Sequence, residues 1–137
     1  MGFIREQIIK PLTRSKGWRK KSREHKKVFY FCCSCGREKG LETHHIKDFS
    51  TNPEAELDEK NFITLCDKST RCHLSTGHLA NWKSINPTVV YDSIAFLIKV
   101  SKRRGLKAEK RADLVSKVSF AIDYYKDIIN PGEHDLT

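Results

Sequence analysis

The 137-residue chain is long enough for one domain with a modest core, and its formal charge of +9 is unevenly distributed. Residues 1–35 carry a net charge of +8, residues 36–80 one of −2 and residues 81–137 one of +3. A concentrated basic segment favours a polyanion as partner, most commonly nucleic acid, although a solvated charged face would give the same composition. With no run of about twenty apolar residues, a membrane-spanning helix is excluded.

Cysteine usage indicates a reducing compartment. The sequence holds five cysteines, an odd number, and its start lacks both the apolar core of a secretory signal and the pattern for myristoylation. Such a chain favours free thiols and metal binding over disulfides. We therefore expect a cytoplasmic protein.

The first predicted elements are helical and basic. Residues 3–10 show roughly helical spacing, and residues 12–27 predict a second helix with Ser15 as its cap and Trp18 as a packing anchor. Phosphates attract Lys and Arg irrespective of sequence. The candidate nucleic-acid contacts on this helix are therefore its cations Arg19, Lys20, Lys21, Arg23, Lys26 and Lys27.

A short hairpin is predicted next. Residues 28–31 (VFYF) indicate a strand or an extended lead-in, and residues 36–40 a turn with glycine at both ends. Residues 41–46 and 62–65 predict the two strands, separated by an acidic loop that contains Asn52-Pro53. After the hairpin, residues 71–82 predict a helix that is interrupted or bent near Gly77.

The last third predicts two helices that pack as an antiparallel pair. Asn86-Pro87 is a helix start signal for residues 88–102, and residues 109–129 form the second helix. The pair serves either as scaffold or as a surface for a homo-oligomer or a protein partner. Its second helix places one apolar stripe at helical spacing, made of Leu114, Val118, Ile122, Tyr125 and Ile129.

Four cysteines predict a structural zinc site. Cys32 and Cys35 form a C-x-x-C pair before the first strand, and Cys66 and Cys72 follow the second, at a spacing wider than usual. Tetrahedral zinc accepts four thiolates and then has no open position, so it would staple the hairpin. Cys33 is left over because Cys32 gives the two-residue gap.

Histidines are the second signal. His44 and His45 lie side by side in a predicted strand and therefore point to opposite faces, so that one could bind a metal while the other addresses solvent or substrate, or simply packs. His73 directly follows Cys72. His78 lies five residues further on, a poorer spacing than i, i+4 for two ligands on one α-helical face.

This constellation resembles the HNH endonuclease family, in particular its zinc-stapled branch from bacteriophages and restriction-type nucleases. The resemblance rests on C-x2-C, then HHI, then Asn61 before an apolar strand that ends in Cys, then Cys-His, and it covers about residues 13–80. It implies a ββα-metal finger and says nothing about residues 84–137. Together with the four-cysteine zinc site, the basic N-terminal helix and the C-terminal helical pair, this predicts an α+β fold with a basic arm (1–27), an HNH core (28–83) and a helical extension (84–137).

The resemblance also implies roles at the matching positions. His45 matches the general base, and Asn61 the residue that orients the imidazole of that base. His44 and His73 match ligands of a catalytic divalent ion (Mg²⁺, Mn²⁺ or Ni²⁺), and His78 resembles an additional ligand with a spacing that differs by one residue. The implied activity is hydrolysis of DNA, in the host cytoplasm if the gene belongs to a phage.

Imidazole chemistry independently suits that activity. A neutral imidazole can take a proton from water at neutral pH, and a divalent ion can relieve charge on the scissile phosphate. The competing hypothesis is a non-catalytic zinc-finger module that binds nucleic acid through the basic helix. A third possibility is a nuclease whose C-terminal helices dock on a packaging or replication component.

Overall fold

The computed structural model describes residues 15–48, 50–68 and 70–132, and the predicted helix at residues 3–10 lies outside these ranges. The architecture is mixed, with a small two-stranded sheet among several helices, as predicted. The elements in chain order are α1 (Trp18–Val28), β1 (Leu41–His45), β2 (Phe62–Cys66), a π-helical turn (His73–Gly77), α2 (Val89–Ser101), α3 (Ala108–Tyr124) and α4 (Lys126–Ile129).

The two strands form the predicted antiparallel hairpin. Leu41 pairs with Cys66 and His45 with Phe62, so one end of the sheet carries a cysteine and the other a histidine. The acidic loop between the strands contains two single 3₁₀ turns, Pro53–Ala55 and Glu59–Asn61.

The segment at residues 28–31 is not a strand. Val28 is the last residue of α1, and the buried rings of Phe29 and Phe31 contact each other with centroids 4.6 Å apart. Burial of two large aromatic side chains stabilises an irregular chain here more than strand pairing would. Ser15 also differs from expectation, since it binds the carboxylate of Glu56 and makes no side-chain cap for α1.

The predicted helix at residues 71–82 is replaced by the π-helical turn. Leu79 and Ala80 have positive φ angles of 52° and 63°, and this left-handed pair turns the chain away after one turn. Non-glycine residues hold such angles at an energetic cost, so the surrounding contacts must fix this bend.

The C-terminal helices pack as an antiparallel pair. The Arg111 guanidinium donates to the Ser101 carbonyl at 2.9 Å, and the Tyr91 hydroxyl donates to the Ile128 carbonyl at 2.6 Å, so opposite ends of the helices meet. The start signal lies slightly early, because α2 begins at Val89 and the Asn86 side chain accepts the Thr88 N–H instead.

The predicted stripe on the second helix is partly wrong. Leu114 and Tyr125 are buried, but Ile122 is 40% exposed, and Ala121 together with the aliphatic stem of Lys117 occupies the buried face. The helix is also interrupted at Tyr125, whose hydroxyl donates to the Phe62 carbonyl of β2.

One hydrophobic core joins these helices to the hairpin. It runs from Phe29, Phe31 and Cys32 through Leu65 to residues of α2 and α3. Lys117 adds a polar tie, since its ammonium donates to the Gly36 carbonyl at 2.9 Å and to the Glu38 carboxylate at 3.0 Å. The pair therefore braces the loop that carries Cys32 and Cys35, and its use as a partner surface stays a prediction.

In the part of the chain that the structure describes, no helix has the length and apolar character needed to cross a bilayer.

Candidate functional site

Four cysteine sulfurs converge at one end of the hairpin. Their Sγ atoms lie within 4.8 Å of one another, and those of Cys35 and Cys66 are 3.7 Å apart. A zinc ion with Zn–S bonds of about 2.3 Å needs tetrahedral S–S edges of about 3.8 Å, which matches this separation. The group consists of Cys32, Cys35, Cys66 and Cys72, and it could hold zinc.

Hydrogen bonds favour the thiolate at Cys35 and Cys66, whereas those that the Cys32 thiol makes to its neighbours raise the pKa of Cys32. The Cys35 amide points to Cys32 Sγ at 3.4 Å and the Cys72 amide to Cys66 Sγ at 3.5 Å. The hydrogen bond from the Cys32 thiol lowers the pKa of Cys66 to about 6 and is also the main reason that the pKa of Cys35 is lowered. An anionic sulfur is the form that binds metal.

The wide Cys66–Cys72 spacing has a structural reason. The connecting loop lets the Thr70 hydroxyl reach three of the sulfurs, at 3.3 Å from Cys66 and 3.4 Å from Cys35 and Cys72. Thr70 was not anticipated from the sequence, where only the unusual width of the Cys66–Cys72 spacing is visible. Cys33 lies outside the cluster, fully buried, and burial raises the pKa of its thiol.

Three histidine rings form a second cluster, which includes the residue that directly follows Cys72. His44 comes from β1, His73 begins the π-helical turn and His78 follows it, and one ring nitrogen of each lies within 4.8 Å of the others. The Nε2 atoms of His73 and His78 are 3.3 Å apart. The structure thus brings together all three histidines that the sequence analysis proposed as metal ligands.

The π-helical turn explains why His78 belongs to this histidine cluster. A π-turn closes i→i+5 hydrogen bonds, so residues five apart lie on the same side, which they do not in an α-helix. Gly77 permits the close approach, because a Cβ atom there would lie 3.2 Å from His44 Cε1 and 3.1 Å from Leu65 Cδ1. Sequence spacing alone could not distinguish the two helix types.

Outer partners fix the tautomers of two of these rings. His73 Nδ1 lies 3.1 Å from the Asp67 carboxylate and His78 Nδ1 lies 2.8 Å from the Ser84 carbonyl. Both partners are acceptors, so each Nδ1 carries a proton and donates it, and each Nε2 presents a lone pair. Asp67 and Ser84 were not anticipated from the sequence.

Two lone pairs that face each other repel unless a cation lies between them. With Zn–N bonds of about 2.0–2.1 Å, a tetrahedral N–N edge is about 3.3 Å, the separation of the two Nε2 atoms. Burial lowers the pKa of His73, while the Asp67 carboxylate opposes the shift. A neutral imidazole backed by a carboxylate is the usual form of a histidine ligand, so this cluster could hold a divalent ion.

His45 makes a different set of contacts from the histidine cluster. Its ring stacks on Trp18 of α1 with centroids 4.5 Å apart, and its Nε2 lies 2.9 Å from the Glu56 carbonyl. Because a carbonyl only accepts, Nε2 holds the proton and the lone pair is on Nδ1. Trp18 is a packing residue, as predicted, and what it packs against is the candidate base.

Asn61 does not orient His45 directly. Its side-chain oxygen accepts the Lys47 N–H at 2.7 Å, and its amide donates to the carbonyls of Lys47 and Ala55 at 3.2 Å. Asn61 therefore ties the end of β1 to the loop that presents the Glu56 carbonyl. The predicted contact is replaced by an indirect one, with Glu56 as the residue that the sequence analysis missed.

The histidine cluster and His45 share one cavity of about 200 Å³. Trp82, half exposed, closes one side, with its ring centroid 4.9 Å from that of His78. The remaining lining residues include Thr43, Asp48 and Ile85. The volume suits a phosphate group with its oxygens rather than a large organic ligand.

A basic groove of about 950 Å³ runs along α1 beside this cavity. Trp18 lines the groove and also stacks on His45, and the Ser22 hydroxyl on the same helix donates to the Thr43 hydroxyl at 2.8 Å. Two of the predicted cations, Lys21 and Lys27, do not line the groove. Lys21 instead pairs with Glu59 at 3.8 Å. The cations that line the groove are Lys16, Arg19, Lys20, Arg23 and Lys26.

No family model, curated protein or solved structure matches this chain.

Proposed function

We propose that the chain is a metal-dependent DNA endonuclease of the HNH type, with a catalytic divalent ion on His44, His73 and His78 and His45 as general base. The observation that carries the proposal is the shared cavity, where three converging imidazoles and one separately oriented imidazole lie beside a basic groove. A binding module has no use for an imidazole with a fixed tautomer in such a place.

The chemistry follows from the proton positions. His45 Nδ1 takes a proton from water, the hydroxide oxygen bonds to phosphorus, and the bond from phosphorus to the leaving sugar oxygen breaks, with solvent returning a proton to that oxygen. The Glu56 carbonyl stabilises the imidazolium that forms, because its Nε2–H remains hydrogen bonded. A divalent ion, when bound, supplies Lewis-acid stabilisation of the phosphate and the leaving oxygen.

The cysteine cluster has a separate, structural role in this proposal. Zinc held by Cys32, Cys35, Cys66 and Cys72 would fix the hairpin against the loop that leads to His73. The basic groove would bind the DNA backbone beside the cavity, mainly through Arg19, Lys20, Arg23 and Lys26.

The decisive test compares the wild type with two His45 variants on supercoiled plasmid DNA in Mg²⁺, Mn²⁺ or Ni²⁺. His45→Ala removes the base, and His45→Gln removes it while keeping an amide that can donate to the Glu56 carbonyl. We expect both to cut about 10²–10⁴ times more slowly than the wild type, the usual contribution of a general base. Circular dichroism and zinc content serve as controls for folding.

Two outcomes would contradict the proposal. Cleavage by His45→Ala at the wild-type rate would remove His45 from the mechanism. A wild-type protein that binds DNA but cuts it with none of the three metals would favour the non-catalytic zinc-finger module, for which the basic groove alone suffices.

A further inference from the structure

We propose that a second, separate surface contacts the nucleic-acid backbone: the tip of the α2–α3 hairpin, residues 102–110, referred to as the hairpin tip. The inference rests on nucleic acid as the partner, as in the proposed function, but it concerns binding and does not depend on catalysis. Neither the groove along α1 nor the histidine cluster includes any residue of this surface.

The hairpin tip concentrates positive charge on side chains that form no salt bridge among the described residues. Its one acidic residue is Glu109. A row of unpaired cations raises the local potential and attracts polyanions. The cations are Lys102, Arg103, Arg104, Lys107 and Lys110, and all are exposed.

Local structural needs explain only part of this charge. Cations at the C-terminal end of α2 are favourable with the helix dipole, which accounts for Lys102. Lys107 and Lys110 lie at the N-terminal end of α3, where a positive charge opposes the dipole and costs roughly 0.3–1 kcal/mol. Cations kept at an unfavourable helix end indicate a role outside the fold.

The hairpin tip is held in a fixed shape. The Arg111 guanidinium donates to the carbonyls of Ser101 and Arg103, at 2.9 and 3.0 Å, and so closes the turn. Gly105 has a φ of 82°, a left-handed angle that suits glycine at this reversal. Because the backbone is already ordered, the cations are presented to a partner with little further loss of conformational entropy.

A cavity beside the hairpin tip offers a place for a phosphate group. It measures about 260 Å³ and lies between the tip and the loop of the cysteine cluster. Cations from three segments line it, namely Arg37, Arg103 and Lys110. Phe96, 41% exposed, also lines this cavity and offers apolar surface to a sugar.

The hairpin tip lies far enough from the histidine cluster to act independently. Asn86, just before α2, donates to the Thr76 carbonyl of the π-helical turn at 2.9 Å, so the start of α2 is next to the cluster. The 13 residues of α2 then span about 20 Å at about 1.5 Å per residue. That distance corresponds to roughly six base pairs of duplex at about 3.4 Å each.

The test measures the salt dependence of binding of the full chain to a 20-base-pair DNA duplex, without added divalent metal or chelator. Arg103→Gln/Arg104→Gln is compared with Lys60→Gln/Lys126→Gln, which changes the net charge equally on other surfaces. Each lost phosphate contact lowers the log–log slope by about 0.9, so we expect a decrease of up to about 1.8 for the tip variant and a much smaller one for the control. Lys107→Gln/Lys110→Gln provides a second tip variant.

Equal slopes for the tip variants and the control would overturn the inference. The inference would also be overturned if the tip variants lost zinc while the slope of the salt dependence stayed unchanged. The cations would then serve to balance the charge of the thiolates. The groove variant Arg19→Gln/Arg23→Gln separates this inference from the proposed function. If the wild type cuts DNA but the tip variants leave the slope of the salt dependence unaltered, only the inference about the hairpin tip is refuted. If the tip variants lower the slope but the wild type does not cut DNA, only the proposed nuclease activity is refuted.

Discussion

The cysteine cluster and the histidine cluster are adjacent in sequence at Cys72-His73, yet they differ in their donor atoms and in their surroundings. The cysteine cluster offers four soft donors and is largely buried against the hydrophobic core, with Cys32 and Cys66 fully covered. The histidine cluster offers three nitrogen donors that open onto a cavity. Four thiolates fill the coordination of zinc, whereas three imidazoles leave a position for a further ligand.

What surrounds the donors distinguishes the clusters as clearly as the donors themselves. Around the sulfurs lie amide N–H groups and the Thr70 hydroxyl, which favour thiolates and bring no additional acid–base group. Beside the histidines lie the Asp67 carboxylate and His45, a charge and a titratable ring. A closed site with inert surroundings stabilises a fold, and an open site with reactive neighbours can carry chemistry.

The largest expected effect comes from breaking the cysteine cluster with Cys66→Ser. Zinc binding to four-ligand sites contributes on the order of 10 kcal/mol to folding, and a hydroxyl is a poor replacement for a thiolate. We expect the variant to lose bound zinc, as measured by elemental analysis, and to lose cooperative thermal unfolding. His73 should then be misplaced as well, because Cys72 precedes it directly.

Cys33→Ala is the matched control for that experiment, since Cys33 is equally buried but lies outside the cluster. It should keep one zinc per chain and unfold cooperatively. If Cys33→Ala lost the metal while Cys66→Ser retained it, the assignment of the four ligands would be wrong.

The sequence predicted the hairpin and named the cysteines and histidines that the structure brings together, because both depend on local patterns. The roughly alternating segment LETHHI, the C-x-x-C pair and the adjacent histidines are all visible without a structure. For Phe29 and Phe31 the sequence left a strand and an extended lead-in open, because an aromatic pair suits a strand and a core equally well, and only the position of α3 settles which applies.

Some of the supporting residues could not be predicted because they act across a long stretch of chain. Glu56 meets Ser15 across 41 residues, and Lys117 meets Gly36 across 81. The π-helical turn could not be predicted either, because nothing in the amino-acid sequence from His73 to Gly77 distinguishes it from an α-helical turn. His78 is brought into the cluster by that turn.

An intermediate effect is expected from Asp67→Asn, which sharpens the comparison by altering the histidine cluster alone. The change removes the charge behind His73 Nδ1, and loss of such an outer partner typically costs 10–100-fold in metal affinity or activity. We expect the variant to bind the catalytic ion more weakly, so that plasmid cleavage needs a higher metal concentration. Its zinc content should be unchanged. Asp123→Asn, on the exposed side of α3, is the control; a matching loss in it would contradict the role of Asp67.

The smallest expected effect concerns His25, a histidine in neither cluster. A variant of this residue distinguishes the loss of stability caused by protonation of the core from the loss caused by protonation of the histidine cluster. His25 is buried among the rings of Phe29, Phe62 and Tyr124, and this burial lowers its pKa from 6.5 to about 4. Between these values the unfolded chain binds a proton that the folded chain does not, so stability is complete above pH 6.5 and is lost as the pH falls.

Between pH 7 and pH 5, protonation of His25 in the unfolded chain lowers the free energy of unfolding by about 2 kcal/mol, because a pKa difference between the two states converts into free energy. His25→Phe keeps an aromatic ring in the core and cannot be protonated, so its free energy of unfolding in urea should fall less over this interval by that amount. Ligand histidines titrate in both proteins, and the difference between them therefore isolates His25. An equal loss in both would mean that acid sensitivity resides in the metal clusters, and that the buried core contributes nothing to it.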